Sequence, residues 1–242
     1  MIRAILLVTL LLAAGPAAAQ SLAIDLGAPG GGNTARLVQL AALIGLLSLA
    51  PSLLVMATAF ARIVIVLSLL RSAIGAPGIP PNQVLIGLAL FLTFFVMQPV
   101  LEASWTAGIL PMMEGRIAEL DGLAAAAEPF RRFMAANVRD QDLAVFLDLA
   151  QIPAPPTVAE APWRALVPAF MVSELKRAFE IGFLLFLPFL VIDLVVASLL
   201  MSLGMMMLPP SVVSLPFKLI FFVLVDGWTL VSGSLVQGFA GT

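Results

Sequence analysis

Apolar positions run almost unbroken through four stretches of this chain, residues 37–70, 84–101, 181–203 and 212–236, and polar positions collect between them. About 20 apolar helical residues cover a hydrocarbon core of about 30 Å, so each stretch is read as a membrane-embedded helix. The first is interrupted only by Pro51 and Arg62. It is longer than one perpendicular crossing needs, which predicts a break near Ala50-Pro51-Ser52 and Arg62 turned towards protein or water. Residues 72–83 carry Gly75, Pro77, Gly78, Pro80 and Pro81 and read as a rigid turn. The second stretch is of minimal length, with Gln98 and Pro99 at its far end.

Residues 102–164 break the pattern, with nine acidic residues against five arginines, and belong in water or at a polar subunit surface. Around residues 129–150, Phe130, Phe133, Met134, Val138, Leu143, Phe146 and Leu147 recur among charges at helical spacing. Two or three amphipathic helices are expected there, ended by Pro153, Pro155, Pro156 and Pro162. Residues 165–183 form a transitional helix on which Glu174, Lys176, Arg177 and Glu180 stand three or four apart, a spacing that allows self-pairing. Asp193 lies inside the third apolar stretch, and Lys218 and Asp226 inside the fourth. Ionisable groups at such depth cost several kcal/mol unless paired or wet, so each marks an interface or a passage.

Between the third and fourth stretches lies MSLGMMMLPPSVVSLPFK, residues 201–218. Water-facing connections favour Asn, Asp, Ser and charge, whereas this one offers Gly204, Met205, Met206 and Met207, then Pro209 and Pro210, which cannot continue a helix. Methionine is unbranched and re-packs easily. The cluster therefore reads either as gap-filling in a packed core or as a deformable apolar ring.

At the other end, Arg3, the apolar residues 4–14 and Ala17-Ala18-Ala19 have the layout of a secretory signal, residues 1–19, with cleavage between Ala19 and Gln20. An uncleaved first span is the competing reading. Residues 20–36, with Gly27, Pro29 and Gly30-Gly31-Gly32, read as a flexible exported tail. A cleaved signal puts the acidic segment outside the cytoplasm and the Met-Pro turn inside. Lys176 and Arg177 sit badly in this scheme, which warns that not every apolar stretch crosses lipid by itself.

Composition narrows the chemistry. Of the 242 residues 62% are hydrophobic and 11% charged, against about 25% charged in a soluble domain, so the chain is an integral membrane protein. With no His, Cys or Tyr, it can build no Ser-His or Cys-His dyad, no His or thiolate zinc site and no disulfide. A net charge of -2 offers no surface for nucleic acid. No cofactor is implied.

PPNQVLIGLALFLTFFVMQP (80–99), VPAFMVSELKRAFEIGFLLFLPFLVIDLVVASLLMSLGMMMLPP (167–210) and SLPFKLIFFVLVDGW (214–228) resemble the flagellar biosynthetic protein FliP family, which includes the type III secretion counterparts. The resemblance covers about residues 40–242 and is less specific over residues 102–160. It implies an all-α fold of membrane-embedded hairpins, residues 37–101 and 165–242, flanking an extramembrane helical domain, residues 102–164. It further implies an inner-membrane export gate in the flagellar basal body. Several copies would assemble with Q-type and R-type subunits and other flagellar export membrane proteins into a helical, cone-shaped channel for unfolded proteins. Matched to the family motif, Met205, Met206 and Met207 would form a gasket around the pore, and Glu174 would form an inter-subunit or inter-helix ion pair with Lys218, for which Asp193 and Asp226 compete. Arg62 would belong to the same set of pairing and assembly residues. The rival reading is a proton-coupled transporter using Asp193, Asp226 or Glu174. An intramembrane protease built on Asp193 and Asp226 lacks any supporting motif.

Overall fold

The computed structural model describes residues 41, 44, 45, 48, 52, 55–205 and 207–239. All but a few belong to the second of two compact units, Leu49–Thr242. The expected signal segment with Ala17, Ala19 and Gln20, the tail and the break at Pro51 lie outside the described residues, as does Met206. Among the described residues there is helix and no strand.

Helix α1, Phe60–Ile74, is closed by Gly75, whose N–H reaches back to the Arg71 carbonyl at 3.3 Å. One face of α1 supplies Ile63, Val66, Leu67 and Leu70 to the core. Helix α2, Asn82–Ser104, starts directly after Pro81 and runs through Pro99. It continues through a single π-type turn, Trp105–Ile109, into the short α3, Leu110–Met113. The second apolar stretch is therefore a rod of 32 residues, Asn82–Met113, longer than the hydropathy pattern indicated. The π-type turn sits where the rod meets helix α4, Glu119–Asn137. A side chain on Gly108 would lie 2.4 Å from the Ala126 nitrogen and the Gly122 oxygen, so only glycine permits this crossing. Beside it, the Ser104 hydroxyl donates to the Ala126 carbonyl at 2.7 Å.

Helix α5, Asp140–Leu149, completes the acidic segment's amphipathic pair with α4. Both helices carry two acids in the first turn, where the helix dipole favours negative charge. Pro129 lies inside α4 and does not begin a helix. Of the proline cluster, Pro162 borders the next element, α6, Trp163–Ser202. This is one helix of 40 residues, so the transitional helix and the third apolar stretch are a single element, continuous through Pro168 and Pro188. It buries Leu166, Ala169, Phe170 and Ala178, and Phe170 meets Phe133 of α4.

The fourth stretch is broken. Helix α7, Pro210–Leu224, and helix α8, Gly227–Gln237, meet at 61°. Asp226 takes a left-handed conformation, φ 48°, at the junction. Gly227 lies so close to the Phe222 ring that a Cβ would fall 2.1 Å from it. Two described helices are long and apolar enough to cross a membrane, or three spans if the bent pair counts as one. The first part of the first apolar stretch, residues 37–54, falls largely outside the described residues.

Candidate functional site: the methionine turn and the ion pairs behind it

The C-terminus of α6 is finished by two hydrogen bonds that satisfy its last carbonyls: Gly204 N–H to Met201 at 3.1 Å and Met205 N–H to Leu200 at 2.9 Å. This is the Schellman arrangement, which needs a left-handed residue at its pivot, and Gly204 supplies it with φ 71°. The chain then turns through Pro209 into α7, where Pro210 occupies the first helical position, one that needs no N–H donor. Among the described residues no polar side chain hydrogen-bonds to the tip. Met207 is 98% exposed and Met205 44%. The described part of the turn has a backbone set by Gly204 and the two prolines, and it presents apolar side chains.

Behind the turn, α6 and α7 are joined by a polar cluster in otherwise apolar surroundings. The Lys218 ammonium lies 2.6 Å from Asp193 Oδ2 and donates to the Ala73 carbonyl at 3.1 Å. Ser214 donates to Asp193 Oδ1 at 2.6 Å. Ala73 lies in the last turn of α1, where unpaired carbonyls attract a cation, so Lys218 ties three helices together. Its side chain is 6% exposed against 33% for Asp193, so the carboxylate keeps some contact with the surroundings.

A second cluster lies farther along α6 from the turn. Both Arg62 and Glu174 are fully buried. Arg62 Nε donates to Glu174 Oε2 at 2.8 Å, and Nη2 engages the other oxygen. Arg62 Nη1 donates to the Gly238 carbonyl at 3.3 Å, and the Phe239 ring covers the guanidinium, 3.7 Å from its central carbon. Phe239 stacks on Phe133 of α4, which meets Phe170 of α6 edge-on. A fork-shaped cation paired to both carboxylate oxygens and capped by a ring is a favourable way to keep a charge out of water.

The third cluster fastens α5 to α6. Asp142 pairs with Lys176 and accepts from the Ser173 hydroxyl at 2.8 Å, and Ser173 accepts the Arg139 N–H at 3.0 Å. The Arg139 guanidinium reaches both oxygens of Glu180 at 2.6 and 2.5 Å. Burial pushes the Asp142 carboxyl upward, but the hydrogen bonds from Lys176 and Ser173 and the positive charges of Lys176 and Arg139 outweigh it, and the group ends below the ordinary aspartate range.

These partners differ from those expected. Glu174 and Lys218 do not pair with each other in this chain, because Arg62 holds the first and Asp193 the second. The self-pairs along α6 do not form either. Lys176 and Glu180 turn to α5 and its preceding residue, which give hydrogen-bonded partners where an exposed pair along one helix is worth only about 0.5 kcal/mol. Arg62 faces protein. Asp226 is exposed and makes no ion pair among the described residues. Ser173, Ser214, Arg139 and Asp142 were not singled out by sequence. The signal for the serines is weak, but a Ser four residues before Lys218 and three before Lys176 marks a hydroxyl on the same helical face. Among the described residues no cluster of carboxylates is placed to hold a metal ion.

The sequence matches the FliP family over residues 43–235. The chain belongs to the FliP family. A flagellar biosynthetic protein FliP from Caulobacter vibrioides is 61% identical over 216 residues, covering 89% of this chain and 81% of that protein. The FliP of Rhizobium meliloti is 47% identical over 237 residues, 96% and 97% of the two chains. The FliP of Bacillus subtilis is 49% identical over 207 residues, 86% of this chain and 94% of the other. The FliP match spans every ion pair of the three clusters and the methionine turn, from Arg62 to Lys218, and ends before Gly238 and Phe239, which cover Arg62.

Proposed function

We propose that this chain is a membrane subunit of the flagellar type III protein export apparatus and forms part of a gated channel for unfolded proteins. Support for the apparatus comes from relatives named flagellar biosynthetic protein FliP along nearly the whole chain. Support for the channel comes from one observation above all: an apolar, methionine-bearing tip between the Gly204 cap and the Pro209–Pro210 helix start, with Met207 98% exposed. An apolar constriction resists wetting when empty and so blocks ions. Methionines conform to many passing side chains without directional hydrogen bonds. Met205, Met206 and Met207 act as the gasket, and Gly204, Pro209 and Pro210 fix where it points.

In this reading the chain acts with further copies of itself, with Q-type and R-type subunits and other flagellar export membrane proteins, in a helical cone-shaped assembly surrounded by membrane lipid. It resides in the bacterial inner membrane at the flagellar basal body, with residues 102–164 on the periplasmic side and a signal peptide removed after Ala19. It is a structural component and not an enzyme, and energy for transport comes from elsewhere. Lys218 holds Asp193 at 2.6 Å and Arg62 holds Glu174, which argues against either carboxylate as a freely exchanging proton carrier.

The test replaces Met205, Met206 and Met207 together by Ala in cells making the whole gate and measures leak of small ions or a dye, with assembly checked by native gel. Increased leak with intact assembly is the expected result. Intact assembly without leak returns the methionines to packing.

A further inference from the structure

All the sulfur of this chain is in methionine: the sequence holds 11 of them and no cysteine. Thiolates are a ready target of peroxide, and with none present the thioethers are the groups left to react. Burial divides them. Met97 and Met134 are closed in the core, whereas Met56, Met113, Met201, Met205 and Met207 are exposed. Met205 and Met207 stand together on the tip between α6 and α7, with exposed Leu203 and Leu208 on either side.

Little of the fold depends on these two sulfurs. The backbone around them is set by the Gly204 and Met205 N–H groups bonding to α6 carbonyls, by the left-handed Gly204 and by Pro209 and Pro210. The Met205 and Met207 side chains are outside that set. An oxygen added to the Met134 sulfur would put a polar group into a closed core and damage the packing. The same oxygen on Met207 changes what the tip presents and leaves the turn as it is.

We propose that Met205 and Met207 form an oxidant-responsive site, at which a peroxide converts the two thioethers to sulfoxides and makes the apolar tip polar. The sulfur lone pair attacks one peroxide oxygen, the S–O bond forms and the O–O bond breaks. The hydroxide released takes the proton from the new S–OH group and leaves as water, so sulfur loses two electrons and the peroxide gains them. A sulfoxide oxygen accepts hydrogen bonds from water, and a constriction that sealed by staying dry then wets and leaks. Thiol-driven methionine sulfoxide reduction returns the thioether, so the change is reversible. The inference rests on the gated-channel reading above, because a tip that lines a pore is what turns the chemistry into leak.

The test treats the whole gate, carrying the full chain and reconstituted in liposomes, with hydrogen peroxide. Ion leak is recorded, and sulfoxide at each methionine is mapped by peptide mass spectrometry. Met205 and Met207 should convert well before Met97 and Met134. Leak should rise about tenfold, the scale set by a polar group gaining water. Methionine sulfoxide reductases of both stereospecificities with dithiothreitol should reverse both changes in the wild type. Met205→Leu, Met206→Leu and Met207→Leu together keep the tip apolar and similar in volume. That variant should stay tight after peroxide although Met113 and Met201 still oxidise. Equal leak from the Leu variant, reduced Met205 and Met207 beside a converted Met113, or sulfoxide at both sites without leak would each overturn the proposal. Any of these beside an Ala-substituted gate that leaks without oxidant would leave the channel reading standing. An Ala-substituted gate that stays tight would remove that reading, and the oxidant response with it.

Discussion

Lys218 and Asp193 are not equivalent halves of their pair, because burial differs. Asp193→Asn strips the counter-charge from a lysine that is 6% exposed. A buried charge left unpaired costs about 3–5 kcal/mol. Lys218→Met leaves a carboxylate that is 33% exposed and still hydrogen-bonded by Ser214, so the loss should be smaller. Thermal unfolding in detergent should rank Asp193→Asn as the more damaging of the two. In the Arg62 cluster, Glu174→Gln should cost about 3–5 kcal/mol for the same reason. Phe239→Leu removes the ring over the guanidinium and its stacking on Phe133, while leaving the ion pair itself, and should cost about 1–2 kcal/mol. Sequence alone identified Arg62, Glu174, Asp193 and Lys218 as groups that need partners, since charge in an apolar stretch must be compensated. It could not say which cation meets which carboxylate, because that is decided by how α1, α6 and α7 align in space.

Among the elements, α6 is the long axis of the unit. Forty residues at 1.5 Å each give about 60 Å, roughly twice a hydrocarbon core, so α6 carries the acidic segment's helices α4 and α5 at one part of its length and the methionine turn at its end. The glycines along the helices separate tight from tolerant crossings. Gly108 faces backbone atoms of α4 at 2.4 Å, whereas Gly182 on α6 faces the tip of Leu69, which can rotate away. Gly108→Ala should therefore destabilise by about 1–3 kcal/mol and Gly182→Ala by clearly less, as read from melting temperatures. Hydropathy made the apolar runs visible, but their joints were hidden. Pro99, Pro129, Pro168 and Pro188 lie within helices, because neighbouring helices hold them in place. The true bend falls at Val225 and Asp226, where the only local warning was the Asp226-Gly227 dipeptide.

In the molecule as a whole, the Asp142 cluster links the acidic helices to α6, and it titrates. The Asp142 carboxyl sits below the ordinary aspartate range of about 3.9, so the folded state holds on to its charge where the unfolded chain begins to take a proton. Its contribution is full above about pH 5 and is lost as pH falls below about 4. Lys176 is half open to solvent, which keeps the effect modest. Acid unfolding followed by helix signal should show this limb in the wild type and lose it in Asp142→Asn, which should also be less stable at neutral pH. The charged composition of residues 102–164 suggested a domain facing water, and nothing in its pattern disclosed that Arg139 and Asp142 bind α6. The cover over Arg62 gives the fold a history in time. Glu174 is synthesised 112 residues after Arg62, and Gly238 comes 176 residues after it. In the order of synthesis the arginine's counter-charge comes first and its cover much later, so a chain stopped between the two lacks the cover that hides the charge pair in the finished one.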